Sequence, residues 1–146
     1  MVILSKFAET LGDLLFEQKT DAKTLSARIG VEGSTVTRYL RTDRAPSIQN
    51  LILLADYFQC STDFLLGLEN ENHTHTFTVC PPFSVQIGKV LQHFGCSFYR
   101  LSVEANIHQS TVYDWKSGKR VPTLDNVVKI AEFFDCTVDF VLGREV

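Results

Sequence analysis

The sequence predicts an all-α protein made of two tandem five-helix units, and two observations carry that prediction. The first is an internal repeat, sought before anything else because a fixed period decides the architecture. Sliding the 146-residue chain by 76 positions pairs Phe7–Glu69 with Phe83–Glu145 without a gap, and 19 of those 63 pairs are identical, too many for a coincidence of composition. The second is that apolar residues at helical spacing, capping residues and breakers fall at the same places in both copies.

In order along the chain, Phe7, Leu11, Leu14 and Leu15, matched by Phe83, Ile87, Val90 and Leu91, form the apolar stripe of a first amphipathic helix. Asp21 and Ser97 are N-cap residues for a short second helix over 22–29 and 98–105. Gly30 and Asn106 share the next site, and these two residue types best tolerate the left-handed backbone with which a helix enters a tight turn. A third helix follows over 33–42 and 109–117, until Pro46 and Pro122 break the chain. Ser47 and Thr123 cap a fourth helix carrying Leu51, Leu54, Ala55 and Phe58, or Val127, Ile130, Ala131 and Phe134. Ser61 and Thr137 cap a last short helix that stops at Gly67 and Gly143.

The expected domains are therefore 1–67 and 83–146, joined by a linker, 68–82, of sequence LENENHTHTFTVCPP. Pro81-Pro82 cannot continue a helix, so the linker reads as extended, with a short strand over Thr76–Cys80. Its His73, His75 and Cys80 lack a well-spaced fourth ligand, and no metal site is expected. Asn72-His73-Thr74 matches a glycosylation sequon, which has no meaning without export.

Function is expected from helices two and three, joined by three or four residues around Gly30-Val31 and Asn106-Ile107. A short helix, a turn needing positive φ, then a helix with polar residues at its start is the helix-turn-helix signature. Its logic is geometric: the second helix braces the third, whose first turns enter the major groove, where each base pair presents its own donor and acceptor pattern. Both units resemble the xenobiotic-response-element (XRE) family of helix-turn-helix proteins, the type found in phage Cro and repressor proteins. The stretches that carry the resemblance are GSTVTRYLRTDRAPSIQNLILLADYFQCSTDFLLG (33–67) and HQSTVYDWKSGKRVPTLDNVVKIAEFFDCTVDFVLG (108–143). It implies two lambda-repressor-like domains. The sequence departs from the family pattern at Ser26 and Ser102, commonly alanine, and at Ala22 and Phe98, commonly a phosphate-contacting glutamine. Glu32 and His108 stand where a serine or threonine usually caps the third helix.

The resemblance further implies that base edges are read by Gly33, Ser34, Thr37 and Arg38 in the first unit and by Gln109, Ser110, Tyr113 and Asp114 in the second. Arg38 can donate a bidentate pair to guanine, and Gln109 can pair likewise with adenine. Asp114 either accepts from cytosine N4 or is a solvated carboxylate partnering Lys116 or Arg120. Arg41, Arg44, Lys116, Lys119 and Arg120, near the end of the third helix, suit phosphate contacts that position without reading sequence. Tyr39 and Trp115, by their helical phase relative to Val36 and Val112, are core residues and not stacking platforms.

Composition bounds the remainder. With 45% apolar and 21% charged residues and apolar runs no longer than a few residues, nothing spans a bilayer. Met1 to Lys6 does not read as a secretion signal, so a cytoplasmic location and reduced cysteines are expected. A net charge of −3 argues against a strongly electrostatic DNA binder, yet segments 28–44 and 100–120 each carry four basic and two acidic residues. No nucleotide-binding or zinc-finger motif appears, and neither a cofactor nor an enzymatic activity is expected. The expectation is a sequence-specific transcriptional regulator, a repressor by occlusion, whose partner is double-stranded DNA. Fifteen extended residues at ~3.3–3.6 Å each reach roughly 50 Å, enough to set two units in grooves ~34–36 Å apart. A homodimer would lengthen the operator into an inverted repeat. The alternative is an interaction module in which one unit binds DNA and the other binds a protein partner or mediates dimerisation.

Overall fold

A computed structural model describes residues 2–72 and 76–145, which form ten helices and no strand among the described residues. The chain divides into two compact units, Met1–Thr74 and His75–Val146. Unit one holds α1 (Val2–Glu17), α2 (Ala22–Ile29), α3 (Thr35–Leu40), α4 (Ile48–Phe58) and α5 (Thr62–Leu65); unit two holds α6 (Phe83–Phe94), α7 (Phe98–Glu104), α8 (Gln109–Ser117), α9 (Leu124–Phe134) and α10 (Val138–Leu142). The linker histidines His73 and His75, and Thr74 of the Asn72-His73-Thr74 sequon, lie outside the described residues.

The apolar stripes read from the sequence are the cores. Phe7, Leu11, Leu25, Val36, Leu51, Leu54 and Leu65 are buried in unit one, and Ile87, Val90, Leu101, Val112, Val127, Ile130 and Val141 in unit two. The aromatic of the third helix seals each core. Tyr39 and Trp115 are both buried, as their phase predicts. Their rings meet those of Phe7 and Phe83, at the matching position of the first helix, with centroids 5.7 and 5.8 Å apart. The Tyr39 hydroxyl accepts from Asn50 Nδ2 at 3.0 Å, whereas the buried Trp115 Nε1 has no hydrogen-bond partner among the described residues.

Six helices begin on the capping residues expected. Asp21, Ser47, Ser61, Ser97, Thr123 and Thr137 each accept, through the side chain, from the backbone N–H three residues on. The Thr24 backbone N–H and hydroxyl hold the Asp21 carboxyl below the usual carboxylate range. The third helix of unit one is shorter than predicted. It covers Thr35–Leu40 and not 33–42, because Gly33 and Ser34 form a turn ahead of it and Ser34 makes no side-chain cap. A glycine at an intended first turn loses most backbone entropy on joining a helix.

The repeat is written into backbone conformation more faithfully than into residue type. Five left-handed positions per unit coincide under the 76-residue offset: Lys19/Gly95, Gly30/Asn106, Thr42/Gly118, Gln59/Asp135 and Gly67/Gly143. Three of the pairs place a glycine opposite a larger residue, and at Thr42 that residue is β-branched, the type for which positive φ is least favourable.

The end of the connecting segment pairs with the C-terminus of unit two. Phe77 forms an antiparallel bridge with Glu145, and Thr78 N–H donates to the Arg144 carbonyl at 2.9 Å. The predicted strand over Thr76–Cys80 is thus reduced to one bridge. Arg144, 1% exposed, lies with its guanidinium carbon 3.9 Å from the centre of the Phe77 ring and donates through Nη1 to buried Asp139 at 3.2 Å. A pairing that ties Phe77 and Thr78 down shortens the extensible stretch, so the roughly 50 Å reach of fifteen free residues does not measure the spacing the chain allows.

Candidate nucleic-acid interface

In each unit the second and third helices meet through a turn whose geometry follows from one left-handed residue. Gly30 has φ 77° and ψ 31°, and Asn106 has φ 56°. Beyond that residue the chain folds back, so that Val31 N–H donates to the Ser26 carbonyl at 2.9 Å and Ile107 N–H to the Ser102 carbonyl at 3.0 Å. Carbonyls orphaned at the helix end are thereby satisfied, and the chain is aimed into the third helix. In unit two Lys129 Nζ adds a bond to the Asn106 carbonyl at 3.0 Å. Ser26 and Ser102 are both buried between the helices, where a small side chain allows close packing; the Ser102 hydroxyl bonds back to the Tyr99 carbonyl at 2.6 Å.

The third helix hides its apolar side and leaves its polar side bare. In unit one Thr35, Val36 and Tyr39 are buried against α1 and α2, while Arg38, Arg41 and Arg44 are exposed and Thr37 is half-buried. Gly33 is exposed and Ser34 half-buried in the turn before α3, so the four expected base readers straddle the helix start and do not line one turn of it. The Ser34 hydroxyl donates to Glu32 at 3.1 Å. Glu32 therefore engages the residue beside the expected reading edge and does not cap α3.

Unit two repeats the arrangement with different chemistry. Gln109 and Ser110 open α8 and are exposed, and Tyr113 follows one turn on. The His108 ring shares a hydrogen bond of 2.9 Å with the Ser110 hydroxyl, in the register of the Glu32–Ser34 pair. Asp114 carries the partner expected of a solvated carboxylate, with Oδ2 3.7 Å from Arg120 Nε. Lys116, expected on phosphate, sits with Nζ 4.9 Å from the Phe98 ring centre and 5.8 Å from that of Tyr113. The role of Phe98 in this cluster was not legible from spacing; the visible signal was only that an aromatic stood where a polar residue was expected. Lys119 and Arg120 remain exposed in the loop beyond α8.

Two compact units, each presenting the polar face of a short helix braced by another across a left-handed turn, define a helix-turn-helix DNA-binding protein. A helix-turn-helix family model matches residues 14–65 and again 87–141, so the chain belongs to the XRE-type helix-turn-helix family in two tandem copies. No curated protein and no solved structure matches the chain significantly. No described helix is long and apolar enough to cross a membrane, and no cluster of metal-ligating side chains occurs among the described residues.

Proposed function

We propose that the protein is a transcriptional repressor that occludes a composite, asymmetric operator, with α3 and α8 reading different half-sites. The observation that supports this most directly is the divergence of the two exposed polar faces on a shared scaffold, Thr37-Arg38 in α3 against Tyr113-Asp114 in α8. Arg38 reads guanine, Gln109 reads adenine, and Gly33, Ser34, Thr37, Ser110 and Tyr113 complete the reading edges. Arg41, Arg44, Lys119 and Arg120 hold phosphate, with Lys116 reaching it from above the rings of Phe98 and Tyr113. Location in the cytoplasm, with the chromosome, belongs to the same reading.

A second reading is favoured by one observation. Unit two exposes Tyr99 and Val103, one turn apart on α7, at positions where unit one has Lys23 and Ala27. Such a pair suits a protein partner or a second copy of the chain. Selection from a random DNA pool separates the readings. On the composite-operator reading, the intact protein enriches two unlike half-sites; Arg38→Ala loses information in one and Gln109→Ala in the other. If enrichment is confined to one half-site, only one unit reads bases, and if no sequence is enriched the regulator reading fails.

A further inference from the structure

We propose that the ring pair Phe98–Tyr113 of unit two reads the 5-methyl group of a pyrimidine in the major groove, a reading that rests on unit two entering DNA through α8. The two rings lie 6.3 Å apart between centroids and are inclined by only 31°, forming a shallow apolar shelf. Tyr113 stays 38% exposed despite that contact. It lies four residues after Gln109, hence on the same face of α8 and one turn further along. Phe98, at the start of α7, has no side-chain group that can donate to phosphate, so a polar role is closed to its ring. The Lys116 ammonium lies over both rings, 4.9 and 5.8 Å from their centres, and swings to the phosphate flanking the recognised base when the methyl group takes its place on the shelf.

The apolar feature that base pairs offer in the major groove is the methyl group at pyrimidine C5, and aromatic side chains are among those that take it. The shelf is private to unit two. Under the repeat offset Phe98, Tyr113 and Lys116 correspond to Ala22, Thr37 and Leu40, which carry neither ring nor charge. Methyl reading by aromatic rings is therefore confined to one half-site, the one in which Gln109 reads adenine. Two bases present the same methyl group, thymine and 5-methylcytosine, and the experiment separates them.

The full-length protein is titrated against its selected duplex and against copies with each thymine in turn replaced by deoxyuridine, or each cytosine by 5-methylcytosine. Burial of one methyl-sized group corresponds to about a fourfold change in affinity. With thymine as the source, deoxyuridine at one or two positions of the unit-two half-site weakens binding by that factor, and Tyr113→Ala and Phe98→Ala abolish the difference. With 5-methylcytosine as the source, methylation of a cytosine there strengthens binding by a similar factor, again only while both rings are present. A duplex that is bound equally well in all forms overturns the methyl assignment and leaves the regulator reading intact. Methyl sensitivity that persists undiminished in both ring variants also overturns it. Absence of any selected sequence removes the reading on which it rests. Should an alanine variant fail to fold, Tyr113→Gln or Phe98→Gln replaces it in the same comparison.

Discussion

At the scale of single residues, Asp114 is where the two expectations diverge most sharply. Its 3.7 Å approach to Arg120, with the two side chains 23% and 62% exposed, is a partly solvated pair whose own contribution to stability is small, about 0–1 kcal/mol. Removing it should matter more for binding. Asp114→Ala is expected to leave the unfolding of unit two within about 1 kcal/mol of the parent while raising DNA affinity, because a carboxylate near phosphate is lost and Arg120 is released. The slope of log K against log salt should steepen by about one contact's worth, ~0.9. A fall in affinity confined to sites with one particular cytosine would instead assign Asp114 to base reading. Asp21 makes a pH prediction. Its folded pKa is depressed by the bonds from Thr24, so the cap stabilises unit one above the ordinary carboxylate range and is lost as pH falls through the lowered folded value. Asp21→Asn, which can still accept a bond, should flatten the acid limb of unit-one unfolding followed by circular dichroism.

At the scale of elements, the matched left-handed positions give the clearest tests. Thr42 adopts φ 60° where unit two has Gly118 at φ 80°. Replacing it with glycine should stabilise unit one by about 1 kcal/mol in urea unfolding, relief of left-handed strain of ~1–2 kcal/mol being partly offset by the entropy of glycine in the unfolded chain. Gly30→Ala should act in the opposite direction. A Cβ there meets nothing within 4 Å, so the cost comes from the φ of 77° and not from a clash. The caps behave as independent elements: Ser97→Ala removes the bond to Arg100 N–H and should cost unit two about 1 kcal/mol. If that loss is absent, α7 is held by its packing on α8 alone.

At the scale of the whole chain, the pairing of Phe77–Thr78 with Arg144–Glu145 makes the segment before unit two part of that unit. Arg144→Ala should be far more disruptive than its place two residues from the end suggests. It takes one partner from the buried Asp139 carboxylate and strips the guanidinium from the Phe77 ring, a destabilisation at the low end of the range of about 3–5 kcal/mol for a broken buried pair. Differential unfolding of the intact protein should show unit two alone destabilised. The same tie enters any measurement of operator spacing, since residues bound to unit two cannot lengthen the connection.

The repeat, the helix order and the turn glycine and asparagine were legible in the sequence because each depends on local chemistry: periodic burial, a capping oxygen, a permissive φ. The exposed positions of Gln109, Arg38 and the basic residues were legible for a related reason, since the repeat places them in register with a recognisable helix-turn-helix; their contacts with DNA are part of the proposed function. The retreat of α3 to Thr35 was half visible in Gly33, but helix ends are settled by competition between turn and helix. The Asp114–Arg120 pair was one of two partnerships that the sequence offered, and the fold chose between them. Two features belonged to tertiary structure alone: the Phe98–Tyr113–Lys116 shelf joins two helices, and the Phe77–Arg144–Asp139 set brings together residues up to 67 positions apart. The sequence by itself determined two copies of one DNA-binding scaffold; only packing decided what surrounds each reading edge, because side-chain neighbours across elements have no period to betray them.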